Sequence, residues 1–450
     1  MTGRRNPSSI RPFLAKAAKV TAAATATAVG ASLLTGCGVL PGAAGGSREP
    51  ITVMTWAPEG TTATNMPGMP AMAKAYARWV NANGGLAGHE LKVITCNERN
   101  STVGAARCAK QAVQQGAVAV VGSYSQHGRA FMAPLEVAGV PFLGGYGASD
   151  QEFASSLSYP VNGGQAALLA GNGRQLSRDC DRVSLVRPDT VAGDGLPALL
   201  GSGLAEGGRK PPADIRAPED ANDYTAQARK ALSSAGAFDA YGSGRGCVTA
   251  VLGDRTETFF DSFRRLEGEA ARDVRVASVL GSVGQPLLDR TGGKDGPFEG
   301  AYVTGWYPVA SDARWDPMRE VIREHAFADN RIDPADPGVQ TTWIAYTVLK
   351  VIIESLAKGG GDGDKDSVSA SDVVGELNRI EGVDTGGLTP TLSWRLEHML
   401  ATRDIPRVIN RDVTFQVVRQ GRLVSVKEGF VDVGDTLVQA PSRGRSGLSG

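Results

Sequence analysis

Acid is missing from the opening of this chain. No Asp or Glu precedes Glu49, while Arg4, Arg5, Arg11, Lys16 and Lys19 make the start basic. Long apolar runs are missing too. The uncharged stretch 20–34, rich in Ala and Thr, is shorter than the roughly 20 residues that span a bilayer. Basic, then briefly apolar, then small-residued, this segment reads as an export leader, with a short membrane anchor helix as the alternative. Neither sign of charge is in excess, at 47 basic and 47 acidic residues, so no nucleic-acid partner is expected. No G-x-S-x-G, phosphate-loop or H-E-x-x-H motif occurs, and His89-Glu90 runs on into Leu91-Lys92-Val93. Histidine is scarce: His89, His127, His325 and His398 are scattered and read as surface or structural groups. Ser125 and His127 stand close together, but no acid is evidently placed to orient the imidazole. Catalysis, a metal and a cofactor are therefore not expected, and a secreted hydrolase is the remotest reading.

What is present begins with Leu34-Thr35-Gly36-Cys37, which looks like a bacterial lipobox. There, small residues precede the cut and the Cys thiol takes a diacylglyceryl group. On this reading 1–36 is a signal peptide, Cys37 is the lipidated mature N-terminus, and 37–50 is a flexible tether. Arg4-Arg5 lacks the usual twin-arginine surroundings, which favours the general secretory route. Two or three acyl chains hold a protein on a membrane durably, so contact with the cell membrane through the lipid alone is expected. The other four Cys are an even number suited to an oxidising compartment. Cys96 and Cys108 are close in sequence. Cys180 and Cys247 each just precede an apolar, β-branched run, at 182–186 and 248–252. If those runs are neighbouring parallel strands, the two thiols lie side by side at one sheet edge. Disulfides Cys96–Cys108 and Cys180–Cys247 are the expectation. Free buried thiols are the alternative, and zinc is a rival without a Cys-x-x-Cys or paired His to support it.

Strand and helix signals alternate along the rest. Runs at 51–55, 91–96, 118–121 and 140–143 read as strands. Between them, 69–83, 103–115 and 130–138 carry helical spacing, as in Met72, Tyr76, Trp79 and Val80. The pattern restarts after Tyr159-Pro160, with strands at 182–186, 247–252 and 274–280. Later helices read at 317–327, 341–358 and 371–380, with a charged Gly-rich loop at 359–366. Near the end Arg419-Gln420-Gly421-Arg422 separates two strands as a hairpin would. A β-α-β order implies parallel sheets covered by helices on both faces.

Several stretches carry a family resemblance. These are 79–88 (WVNANGGLAG), the span from Cys96 to Cys108, 118–125 (VAVVGSYS), 134–141 (PLEVAGVP) and 340–346 (QTTWIAY). Together they resemble the branched-chain amino-acid-binding family of ABC-transporter receptors, strongly in the first half and loosely in the second. The resemblance implies an α/β fold of two doubly wound parallel-sheet lobes joined by three crossovers, the type I periplasmic-binding architecture. The crossovers are expected near Pro160, Val303-Thr304 and 390–394. Lobe 1 would hold 51–160 and 304–390, lobe 2 would hold 161–303 and 391–436, and 437–450 would be a disordered tail. It also implies a monomer whose lobes close on a small molecule for an ABC permease, or, alternatively, for a sensory kinase.

In that family the first lobe holds a ligand carboxylate, which maps onto Ser125 and onto Gly147-Ala148-Ser149. Ser125 as a helix cap, and Gly144-Gly145 as a plain turn, are the alternatives. Ser282 stands where amino-acid-binding members place an acid, and Ala192 where they place an aromatic. A free α-ammonium is thus poorly served, unless Asp254 substitutes. Trp56, Trp306 and Tyr307 flank plausible cleft loops, as ligand contacts or as core. The ligand is expected to be amino-acid-like, an amide or an organic acid.

Overall fold

The computed structural model describes residues 48–239, 244–268, 273–359, 366–402 and 404–440. The leader, Cys37, all but the end of the tether, and residues 441–450 lie outside the described residues, as does most of the Gly-rich loop at 359–366.

Short, buried apolar runs make the strands. β1 (Ile51–Ala57), β2 (Leu91–Asn97), β3 (Ala119–Val121), β4 (Phe142–Leu143) and β5 (Ser158–Tyr159) form a parallel sheet in the order β2-β1-β3-β4-β5. The second sheet contains β6 (Arg182–Pro188), β7 (Ala213–Ala217), β8 (Gly246–Ala250), β9 (Val274–Val279), β10 (Tyr302–Gly305), β11 (Asp412–Arg419) and β12 (Arg422–Ser425). Its order is β12-β11-β10-β9-β8-β6-β7, parallel from β7 to β10 and antiparallel at β11 and β12. β13 (Val431–Asp432) adds to β11. The fold is α/β, with two parallel-sheet lobes.

Helices cover both sheets. Helix Gly68–Ala82 buries Met69, Met72, Tyr76 and Val80, a spacing that makes one continuous stripe. Against that stripe lies helix Pro337–Gly359: the Tyr76 ring sits 5.2 Å from Trp343 and 5.4 Å from Tyr346. The Tyr346 hydroxyl meets Thr55 Oγ1 of β1 at 2.8 Å. A segment that lies in sequence between β10 and β11 of the second sheet therefore belongs to the core of the first.

The chain passes between the sheets three times: after β5, after β10, and again before β11. Expectation and structure differ at the second passage. Thr304 pairs with Phe415 and Val279, and Gly305 with Thr414, so β10 completes the second sheet before the chain leaves it. They differ at the tail as well: Gly434–Gln439 is helical, because Thr436 and Leu437 are buried. The β11–β12 turn has φ 53° at Gln420 and 70° at Gly421. Positive φ at both central residues matches the twist of a two-residue hairpin.

Both disulfides join the expected partners. Cys96 of β2 bonds Cys108 of helix Thr102–Gln114 (Cα–Cα 5.7 Å), and Cys180 bonds Cys247 (5.8 Å). Val183 of β6 pairs with Cys247 of β8, so the two strands are indeed parallel neighbours with the bridge at their start.

Candidate functional site

The carboxyl ends of the strands from both sheets converge on one cleft, as open α/β sheets ordinarily arrange a ligand site. Its volume is about 750 Å3 with the open solvent at its mouth included. The first lobe supplies Thr64 and Met66 beyond β1, Tyr124 and Gln126 beyond β3, and Tyr146 and Ala148 beyond β4. Across the cleft stand Thr190 and Ala192 beyond β6, Glu219 beyond β7, Leu252 beyond β8, and Ser282 beyond β9. The floor is the helix Gly164–Ser177, through Gln165, Leu168 and Leu169, together with Trp306.

Of the expected ligand residues, Ala148 and Trp306 line this cavity, as do Ala192 and Ser282. Trp306 is pinned from behind by its Nε1, which donates to Gly164 O at 2.8 Å. Five others lie elsewhere. Trp56 is fully buried in the first-lobe core, 5.5 Å from the Phe131 ring and 5.8 Å from Phe142, because its β1 position points it under the helices. Ser125 is fully buried; its hydroxyl donates to Glu98 Oε2 (3.3 Å) and accepts from His127 N (3.1 Å). Ser149 faces Glu152, through N to Oε1 (2.9 Å) and Oγ to Oε1 (3.2 Å). Asp254 sits on the rim, where its Oδ2 accepts from Asn65 N at 3.3 Å across the cleft mouth. Beside it, Arg255 Nη2 donates to Thr62 O at 2.7 Å. Tyr307 is core, with its hydroxyl shared between Asn162 Nδ2 and Thr341 Oγ1.

The residues that sequence reading missed are Tyr124, Tyr146, Gln165 and Glu219. The two tyrosines are neighbours, with ring centroids 5.1 Å apart, and Tyr146 meets Trp306 edge-on at 5.2 Å. Tyr146 reaches across to the second lobe at Gly281, where φ is +89° and an added Cβ would come 2.3 Å from the phenol oxygen. A side chain at 281 would be strained at that φ and would have to push the phenol aside. Glu219 is half-buried, and burial raises its carboxyl above the usual carboxylate range, while His127 and a hydrogen bond from Gln126 draw it back. Among the described residues no cluster of His, Cys, Asp and Glu could hold a metal ion, and no helix is long and apolar enough to cross a membrane.

The fold and this cleft are those of a two-lobed solute-binding protein, and the sequence says which kind. The profile of the family described as periplasmic binding protein matches residues 52–403, and the chain belongs to that family. Solved structures agree in fold. A substrate-binding periplasmic protein from Ralstonia solanacearum is 15% identical, with a TM-score of 0.66 over 83% of this chain and 99% of that one. A leucine-binding protein from Thermotoga maritima is also 15% identical, with a TM-score of 0.63 over 86% and 99%. A fatty acid ABC transporter substrate-binding protein from Thermomonospora curvata is 12% identical, with a TM-score of 0.65 over 87% and 95%. The sequence matches no curated protein.

Proposed function

We propose that this chain is an extracytoplasmic receptor that captures a small molecule between its lobes and delivers it to an ABC permease. The observation that carries the reading is the convergence of seven strand ends, drawn from two separate sheets, on one cleft with an aromatic and hydroxyl lining. The family supports it, since its members bind solutes and work with such permeases. The cleft lining contains no nucleophile paired with a base, which favours binding over turnover. Ligand contacts to both lobes then favour the closed arrangement, and rotation about the three passages opens it. Small-angle scattering tests this: a saturating ligand should compact the chain, and identical profiles with and without it would count against the proposal.

The receptor is held at the membrane by lipid on Cys37, on the strength of Leu34-Thr35-Gly36-Cys37 after an acid-free leader. Fractionation of cells carrying Cys37→Ala should move the protein out of the membrane fraction. A variant that stays membrane-bound with unchanged mass would remove the anchor from the proposal.

A further inference from the structure

The loops that resemble carboxylate-binding loops are already filled, from inside the chain. At the end of β4, Gly147 N donates to Glu152 Oε2 (2.8 Å), and Ser149 gives both its N–H and its hydroxyl to Glu152 Oε1. Glu152 is 1% exposed, and Gly145 lets it in: an added Cβ there would lie 2.2 Å from Oε2. After β3 the pattern repeats, with the Ser125 hydroxyl on the buried carboxylate of Glu98. A ligand carboxylate at either loop would have to displace one of the protein's own carboxylates and then sit beside it, where like charges disfavour each other.

Nothing basic compensates. Among the described residues no Lys, Arg or His lines the cavity. The buried guanidinium of Arg187, at the end of β6, is committed to Asp194 (3.0 Å) and Asp214 (2.9 Å). The charged side chain that does line the cavity is Glu219. Gln126, which lines the cavity with it, is neutral. The cleft thus holds a carboxylate and, among the described residues, no cation of its own. Its aromatic wall of Tyr124, Tyr146 and Trp306 suits a cation as well, because the ring faces are electron-rich.

We propose, resting on the receptor reading above, that the cleft selects an organic cation: an apolar body bearing one protonated or quaternary nitrogen, paired with Glu219, with no carboxylate required. This reverses the charge preference expected from the sequence. The acid comes from the loop after the edge strand β7, a different place from Ser282, where amino-acid-binding relatives are expected to carry theirs. The apolar residues Leu168, Leu169, Leu196 and Val279 receive the body.

Two matched series test it by calorimetry on the full chain in detergent. One compares 3-methylbutylamine, 4-methylpentanoate, 4-methylpentanamide and leucine. The other compares 2-phenylethylamine, 3-phenylpropanoate, 3-phenylpropanamide and phenylalanine. The amine should bind tightest in at least one series, by about tenfold or more over its carboxylate partner. Glu219→Gln should weaken the amine by about tenfold or more, the loss expected for a charge-assisted bond, and leave the amide nearly unchanged. A carboxylate or amino acid binding tightest, or an amine indifferent to Glu219→Gln, overturns the inference but leaves the receptor reading standing, since a small molecule still binds. Silence from every probe overturns the inference too. The receptor reading then stands or falls separately, on whether any other solute compacts the chain in scattering.

Discussion

A buried carboxylate can organise a loop only if its charge is answered, and Glu152 shows how close the balance is. Its oxygens collect N–H donors from Gly147 and Ser149 and the Ser149 hydroxyl. Burial nevertheless dominates and pushes the carboxyl from 4.5 up to about 7, with those hydrogen bonds pulling the other way. A group whose folded value is raised holds its proton more tightly folded than unfolded. Its stabilisation is therefore complete below about pH 4.5 and is lost as pH rises through about 7. The full swing is on the order of 3 kcal/mol. Glu152→Gln removes the titration, at the cost of leaving a backbone N–H facing an amide NH2, on the order of 1–3 kcal/mol. Melting measured from pH 4 to 8 should show the advantage of the native chain over Glu152→Gln shrinking as pH rises. A constant gap between the two would refute the assignment. Asp336, raised by burial to about 6, adds to the same slope in both proteins and so cancels from the comparison.

At the scale of elements, legibility followed periodicity and failed where strands shrank. The helix Gly68–Ala82 and strands β2, β6 and β8 were readable because apolar residues recur at the right interval over enough positions. The second disulfide followed from the strands: once β6 and β8 are parallel neighbours, Cys180 and Cys247 lie side by side. β7 was not readable. Its sequence, Ala213-Asp-Ile-Arg-Ala217, alternates exposed and buried residues at a sheet edge and carries two charges in five positions. Without that strand there is no strand end beyond which to look, so Glu219 escaped notice. β4 falls inside the apolar run read at 140–143, but β5, only two residues long, carries no pattern of its own. In the loop after β3, hydroxyl chemistry drew attention to Ser125, yet alternation turns Ser125 inward to Glu98 and leaves Tyr124 and Gln126 facing the cleft. Which side of a loop faces a ligand depends on what fills the space behind it, here Glu98 from the end of β2 and Glu152 from three residues beyond Ser149.

The whole molecule is fastened in two unlike ways, and the difference governs how it opens. Along the hinge the bonds are buried and join the connecting segments. Trp394 Nε1 donates to Pro160 O and Asn410 Nδ2 to Val161 O, both at 2.9 Å. At the mouth the two lobes meet through exposed bonds, Asn65 N to Asp254 and Arg255 to Thr62 O. Water replaces exposed bonds cheaply, so the mouth opens while the hinge persists. Each mouth bond should contribute about 0.5–1.5 kcal/mol to the closed arrangement. The pair Asp254→Ala with Arg255→Ala should then lower the closed population roughly five- to a hundredfold, and weaken apparent affinity with it wherever closure limits binding. Because neither side chain supports the core, the melting temperature of the unliganded chain should barely move. In scattering, the unliganded double variant should be more extended than the native chain. The weakening should also be the same for every ligand, charged or neutral, since a latch acts on the lobes and not on the solute. That uniformity separates a latch from the ligand contact first expected of Asp254. If Asp254→Ala weakens an amine but spares its matched amide, Asp254 is touching the ligand, and the latch is the idea to discard.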